Sequence, residues 1–157
     1  MNRERAIAGG LAGLAGGAAF AAFMKIDIAI SGDAVDDFKL LGGFGPMRAH
    51  WRVIGPLIHA FNSASLGVAY GHVDVWRPSP GWLRGLVFAL TENALLWPII
   101  IVLDRVHPAI RSGTLPTFNR PWPFVAENLR HAAYGIVLGA MYERLWRRVT
   151  TRQKPHR

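Results

Sequence analysis

Four apolar stretches alternate with polar segments along this chain and determine its predicted elements. A membrane-spanning helix needs about 20 predominantly apolar residues, and three of the stretches reach that length. These three run over residues 6–30, 53–73 and 82–103. The fourth, 124–143, is continuously apolar only from Ala132 to Tyr142, so its hydropathy alone predicts a re-entrant or interfacial helix.

A shift of 72 residues aligns the chain with itself in two places without a gap. Segment 9–14 lies over 81–86, with Gly, Leu, Gly and Leu in common. Segment 59–70 lies over 131–142, and there His, Ala, Leu, Gly and Tyr coincide. Because one offset serves both matches, we interpret the chain as a tandem duplication of a helical hairpin.

The duplication changes the interpretation of the fourth stretch. If 53–73 spans the membrane, its counterpart 124–143 should span it as well. The predicted fold class is therefore all-α, a polytopic membrane protein whose four transmembrane helices form two tandem helical-hairpin repeats. Repeat 1 covers about residues 6–73 and repeat 2 about 81–145, within one integral membrane domain, 1–157. Each repeat has two spans, so the copies are related by a pseudo-two-fold axis along the membrane normal.

Charge sets the predicted orientation and partners. The formal net charge is +8 although 51% of the residues are hydrophobic, and a basic cytoplasmic tail covers 146–157. With both termini cytoplasmic, ten Lys and Arg lie on the inner side and seven in the outer loops, as the positive-inside rule requires. We predict a multi-pass protein of the bacterial inner membrane whose tail contacts anionic lipid headgroups. No basic helix face is interleaved with stacking aromatics, so nucleic acid is not a predicted partner.

Small residues recur at four-residue spacing in the apolar stretches. In lipid this spacing lets two helix backbones approach closely, which predicts the faces by which the helices associate. The predicted helix-packing residues are Gly9, Gly13, Gly17, Ser63, Gly67, Gly71, Gly135 and Gly139. Such faces suit contacts within the chain, with a second copy or with another membrane subunit.

Polar side chains inside the predicted spans are the candidate functional residues. Burying an ionisable group in a bilayer costs about 2.5–3.5 kcal/mol on insertion scales, so each one is a functional hypothesis. The predicted polar intramembrane cluster consists of Lys25, His59, Asn62, Glu92, Asn93 and His131. At the 72-residue offset, Phe20 takes the place of Glu92, so this acid is not repeated. By contrast, Asp27 and the acidic loop group Asp33, Asp36 and Asp37 are expected to be solvated.

The repeated histidines leave three chemical interpretations open. His59 and His131 either fix the packing through hydrogen bonds, or handle protons together with Glu92, or ligate the iron of a haem b. No metal site other than the haem alternative is predicted. The chain has no cysteine, nucleotide-binding loop, HExxH motif, nucleophile elbow or usable acid pair, so no enzymatic activity is predicted.

The stretch Arg130-His131-x-x-Tyr134-Gly135-x-x-Leu138-Gly139, with the glycine-rich first helix, resembles small four-helix bacterial inner-membrane proteins of the YagU-like kind. The resemblance implies an inner-membrane location and a link to acid or envelope stress, and it assigns no catalytic residues. The predicted function is an accessory or scaffold subunit of a membrane assembly. A carrier or channel for protons or a small solute is the first alternative, and a b-type haem protein the second.

Overall fold

A computed structural model describes residues 3–32, 35–46, 48–73 and 78–152, and this part of the chain is helical without a strand. The all-α class is therefore confirmed. The helices are α1 (Arg3–Ser31), α2 (Asp37–Gly42), a 3₁₀ turn (Arg48–His50), α3 (Trp51–Val73), α4 (Gly81–Val106), α5 (Pro108–Arg111) and α6 (Pro121–Arg152). The weak fourth stretch is thus one continuous helix, which also contains the start of the predicted tail. Asp33 and residues 153–157 lie outside the described residues.

The four long helices pack in the order α3, α1, α6, α4. Helix α1 contacts α3 on one side and α6 on the other, while α4 contacts α6. Helices α3 and α4 are the two outer members, and a cleft separates them. We refer to the end of the bundle where α1 and α4 finish as the loop end, and to the opposite end as the termini end.

Close backbone contact holds the α1–α3 and α4–α6 pairs together. A Cβ atom on Gly9 would clash with the carbonyl oxygen of Gly67, and one on Gly81 would lie 2.6 Å from that of Gly139. Each of the eight predicted packing residues lies at a contact between helices of this chain. Where glycine faces glycine, as in these two contacts, it is required because only a helix without a Cβ atom at that position can approach another backbone this closely.

The two connections at the loop end fold together into a cap over the bundle. Their apolar side chains form a second small core that contains Val35, Leu40, Ile110, Leu115 and Phe118. Hydrogen bonds join the two connections, since His107 Nε2 donates to the Leu40 carbonyl at 3.0 Å and Lys39 Nζ to the Thr114 carbonyl at 2.6 Å. The cap therefore positions polar side chains from α2 over the end of the bundle.

Two of the long helices, α1 and α4, have the length and apolar composition to cross a membrane. Helices α3 and α6 do not meet the same criterion within the described residues. That all four cross a membrane, and that they arose by duplication, remain predictions.

Candidate functional site

Five of the six residues predicted to form the polar cluster line one chamber that is partly open to the outside of the bundle. The chamber has a volume of about 120 Å³ and lies beneath the cap, from which Leu40 and Phe118 contribute to its wall. The five are His59, Asn62, Glu92, Asn93 and His131. The structure thus brings together polar groups from α3, α4 and α6.

Lys25 does not reach this chamber. Its side chain is 52% exposed, and its Nζ lies 3.0 Å from Asp36 Oδ2 at the loop end. A lysine near a helix end can extend its charged group toward water while its methylene groups stay against the apolar surface. Lys25 therefore belongs to the surface of the loop end and is separate from the other five residues.

His131 and Glu92 form the ionisable pair of the chamber. His131 Nδ1 lies 2.8 Å from the Glu127 carbonyl oxygen, which only accepts, so Nδ1 carries a hydrogen. His131 Nε2 lies 3.4 Å from Glu92 Oε2, longer than an ordinary hydrogen bond. Glu92 Oε2 is buried without a hydrogen-bond partner among the described residues. A small movement would bring the two groups to a distance at which they share a proton.

The second repeated histidine, His59, is held from α1. Its Nε2 donates to the Gly17 carbonyl oxygen at 3.1 Å. The Phe20 ring packs against both histidines, with 5.1 Å between its centroid and each imidazole centroid. A haem ligated by His59 and His131 would have to displace Phe20 and break these hydrogen bonds, so the residues as arranged do not fit that cofactor.

Sequence reasoning missed a buried network around Arg130. This side chain is 1% exposed, and its Nη1 lies 2.7 Å from both Asp37 Oδ2 and Glu127 Oε1. Its Nη2 lies 2.6 Å from Asp27 Oδ2. The expectation that Asp27 and Asp37 are solvated was therefore wrong. The cause is the cap, because α2 folds back onto the bundle and places Asp37 beside Arg130.

Three carboxyl groups surround this single guanidinium, which leaves an excess of acidic groups in a buried place. Burial raises the pKa of Asp37 above its ordinary value, and the attraction of Arg130 opposes the shift. The network also reaches the chamber, because Glu127 Oε2 lies 3.8 Å from His131 Nδ1. Ionisable side chains thus follow one another without interruption from Asp27 at the loop end to Glu92 in the bundle.

The chamber adjoins the cleft between α3 and α4, whose volume is about 710 Å³. Asn62, Leu66, Glu92 and Leu96 line both spaces.

Side-chain size explains why α3 and α4 stand apart while α1 and α6 touch. Helix α1 presents Ala12 and Gly16 toward the bundle, and Gly16 lies directly against Tyr134 of α6. At the 72-residue offset, the corresponding residues of α4 are Arg84 and Phe88, and both line the cleft. Their bulk keeps α4 away from α3.

Comparison with known proteins finds no match among family models, curated proteins or solved structures. Among the described residues, no group of three or more His, Asp or Glu side chains is arranged to hold a metal ion.

One sequence signal was available for the missed network. Arg130 lies three residues after Glu127 in a predicted membrane span, and a buried arginine requires counter-charges nearby. The acids predicted for the same end of the bundle were those of α1 and of the first loop, together with Asp104 at the end of the third apolar stretch. Which of them fold inward depends on α2, whose position the local sequence does not determine.

Proposed function

We propose that this chain is an integral membrane protein with four spanning helices that carries protons and a small solute. The exposure of its apolar side chains supports the membrane location. Only 11% of the most apolar stretch of α4 is buried, unlike the core helix of a water-soluble protein. Phe61 of α3 is 75% exposed and Leu95 of α4 is 73% exposed. In water these residues would form an unusually large apolar surface.

The proposal includes α3 and α6 as spans. Their outer faces are apolar, with exposed side chains at Val53, Leu57, Phe61, Phe124, Val125, Leu129 and Ile136. Their inner faces carry the chamber and network residues, which lower the average hydropathy of each helix. The outer faces are mostly apolar, although Asn62 and Ser65 of α3 are exposed.

Duplication, orientation and cellular location are part of the same proposal. The contact of Gly9 with Gly67 has its counterpart, 72 residues later, in the contact of Gly81 with Gly139, which supports two copies of one hairpin. We place both termini in the cytoplasm because of the excess of Lys and Arg there. The bacterial inner membrane is the location that the YagU-like resemblance implies.

The observation that supports a carrier is the series of side chains that can exchange protons, which runs from Glu127 through His131 to Glu92. Such series inside a membrane mark proton pathways, since isolated charges there are costly. An accessory or scaffold role has less support. The small residues that suited contacts with a partner all lie against helices of this chain, so they are not available as a surface for another subunit.

The test is proton flux into liposomes that contain the purified protein and a trapped pH-sensitive dye. An imposed membrane potential drives the flux. We expect Glu92→Gln to reduce it to the level of protein-free liposomes, because a glutamine cannot exchange a proton with His131. Lys25→Gln is the matched control, since Lys25 lies outside the chamber, and it should leave the flux unchanged. Equal flux in the unmodified protein and the Glu92→Gln variant would contradict the proposal.

A further inference from the structure

The cleft between α3 and α4 combines an aromatic wall with one acidic group. Phe88 and Tyr70 contact each other with 5.3 Å between ring centroids, and both line the cleft. Glu92 follows Phe88 by four residues, so the two lie on the same face of α4. The rest of the wall is mostly apolar and includes Leu66, Val73, Val87, Leu95 and Leu96.

These groups have the chemistry of a site for an organic cation. The face of an aromatic ring attracts a positive charge, and a carboxylate attracts it more strongly. The volume of about 710 Å³ lies in the range of small-molecule sites, about 300–1,000 Å³. A mainly apolar wall favours a ligand whose body is apolar as well.

We propose that this cleft binds an organic cation with an apolar body, whose charge lies between Phe88 and Glu92 and competes with a proton for Glu92. This inference rests on the proposed carrier function and names the class of its solute. Glu92 lines the cleft as well as the chamber, so its carboxyl group can supply the counter-charge from the wall of the cleft.

A lipid chain is the alternative occupant, and it fits less well. Hydrocarbon against Glu92 would leave its carboxylate without compensation, which is costly in a buried place. An anionic headgroup would be drawn to Arg84, which lies eight residues before Glu92, or about 12 Å along the helix axis. Arg84 Nη2 already lies 4.0 Å from Glu143 Oε2. The cation therefore occupies the end of the cleft nearest the chamber.

The charged groups around Glu92 determine how binding depends on pH. The titratable groups that line the chamber with it are Asp37 from α2, His59 from α3, and Glu127, His131 and Tyr134 from α6, while α1 contributes the uncharged Phe20. On α4 itself, Arg84 lines the cleft. Protonation of His131 or Glu92 makes the site more positive. A protonated Glu92 no longer attracts the cation and a protonated His131 repels it, so affinity should fall as the pH falls.

The experiment measures binding of tetraphenylphosphonium to the purified protein in dodecyl maltoside by titration calorimetry. We expect saturable binding at mildly alkaline pH, weakened on the order of tenfold at mildly acidic pH. Glu92→Gln should weaken binding on the order of tenfold or more, and Phe88→Ala about threefold to tenfold. Ile99→Ala is the matched control on the same helix, because Ile99 is exposed and lies outside the cleft.

The outcomes separate this inference from the carrier function. Loss of binding in both cleft variants but not in Ile99→Ala supports the site. If Glu92→Gln does not fold, tetraphenylphosphonium binding by Phe88→Ala, and the pH dependence of binding by the unmodified protein, still test the inference. Equal tetraphenylphosphonium binding at both pH values, or binding of dodecanoate in its place, overturns the inference. Cation binding without proton flux would overturn only the carrier function, and flux without cation binding would overturn only this inference.

Discussion

Replacing Gly67 with alanine tests the close backbone contact between α1 and α3. The new Cβ atom would lie 2.7 Å from Gly13 Cα and 2.8 Å from Gly13 N, besides clashing with the carbonyl oxygen of Gly9. These are all backbone atoms of α1, so no side chain can rotate to make room. The two helices would have to separate along this part of the bundle.

The magnitude follows from two opposing effects. Overpacking a tight contact costs about 1–3 kcal/mol, and a backbone neighbour places this substitution at the upper end. Alanine also favours the helix over glycine by about 1 kcal/mol. We therefore expect Gly67→Ala to lower the free energy of unfolding by about 2 kcal/mol.

Gly10→Ala is the matched control on the facing helix. A Cβ atom there meets only Val68 Cγ2, at 3.6 Å, an ordinary van der Waals contact. Gly10→Ala should therefore raise the free energy of unfolding by up to about 1 kcal/mol, because alanine favours the helix over glycine. Unfolding in dodecyl maltoside by titration with sodium dodecyl sulfate, followed by circular dichroism, measures both variants. Equal free energies of unfolding for the two variants would refute the reasoning.

Three further predictions concern the chamber and the network above it. Arg130→Met should destabilise the protein by about 3–5 kcal/mol in the same titration, because it leaves three acidic groups without their counter-charge; a loss below about 1 kcal/mol would contradict the network. Burial raises the pKa of Asp37 from its ordinary value of 3.8, so the folded state binds more protons and the free energy of unfolding should decrease as the pH rises above 3.8. Asp37→Asn should make that pH profile flatter, and an unchanged profile would argue against the shift. Finally, protein supplemented with haem should show no Soret band, because Phe20 packs against both histidines; a band would show that the chamber can open.

The sequence was most informative where one physical cause dominates. Long apolar runs predicted the long helices, and the second of them, 53–73, differs from α3 (Trp51–Val73) only at its start. The 72-residue offset also indicates packing residues beyond the eight that were predicted. It aligned Gly9 and Gly13 with Gly81 and Gly85, and the latter two make the α4–α6 contact.

The cap and the network could not be predicted in the same way. Helix α2 has only six residues, and its position depends on contacts with distant parts of the chain. One of these is the close approach of Gly55 in α3 to the backbone of Phe38. Another is the donation from the Asp37 backbone nitrogen to Met24 Sδ at 3.2 Å. An acidic loop therefore looks solvated in the sequence although the fold buries part of it.

The offset also predicts a symmetric bundle, and the departures from symmetry coincide with the candidate site. Glu92 replaces the Phe20 of the first hairpin, and Phe88, one helical turn earlier, replaces Gly16. Glycine at position 16 lets α1 close against Tyr134, whereas phenylalanine at position 88 holds α4 away from α3. Glu92 therefore lies beside the α3–α4 interface, which stays open. If the hairpins arose by duplication, as we propose, two substitutions on one face of α4, at positions 88 and 92, account for the site. One supplies the acidic group, and the other keeps open the cleft through which a solute can reach it from the side of the bundle.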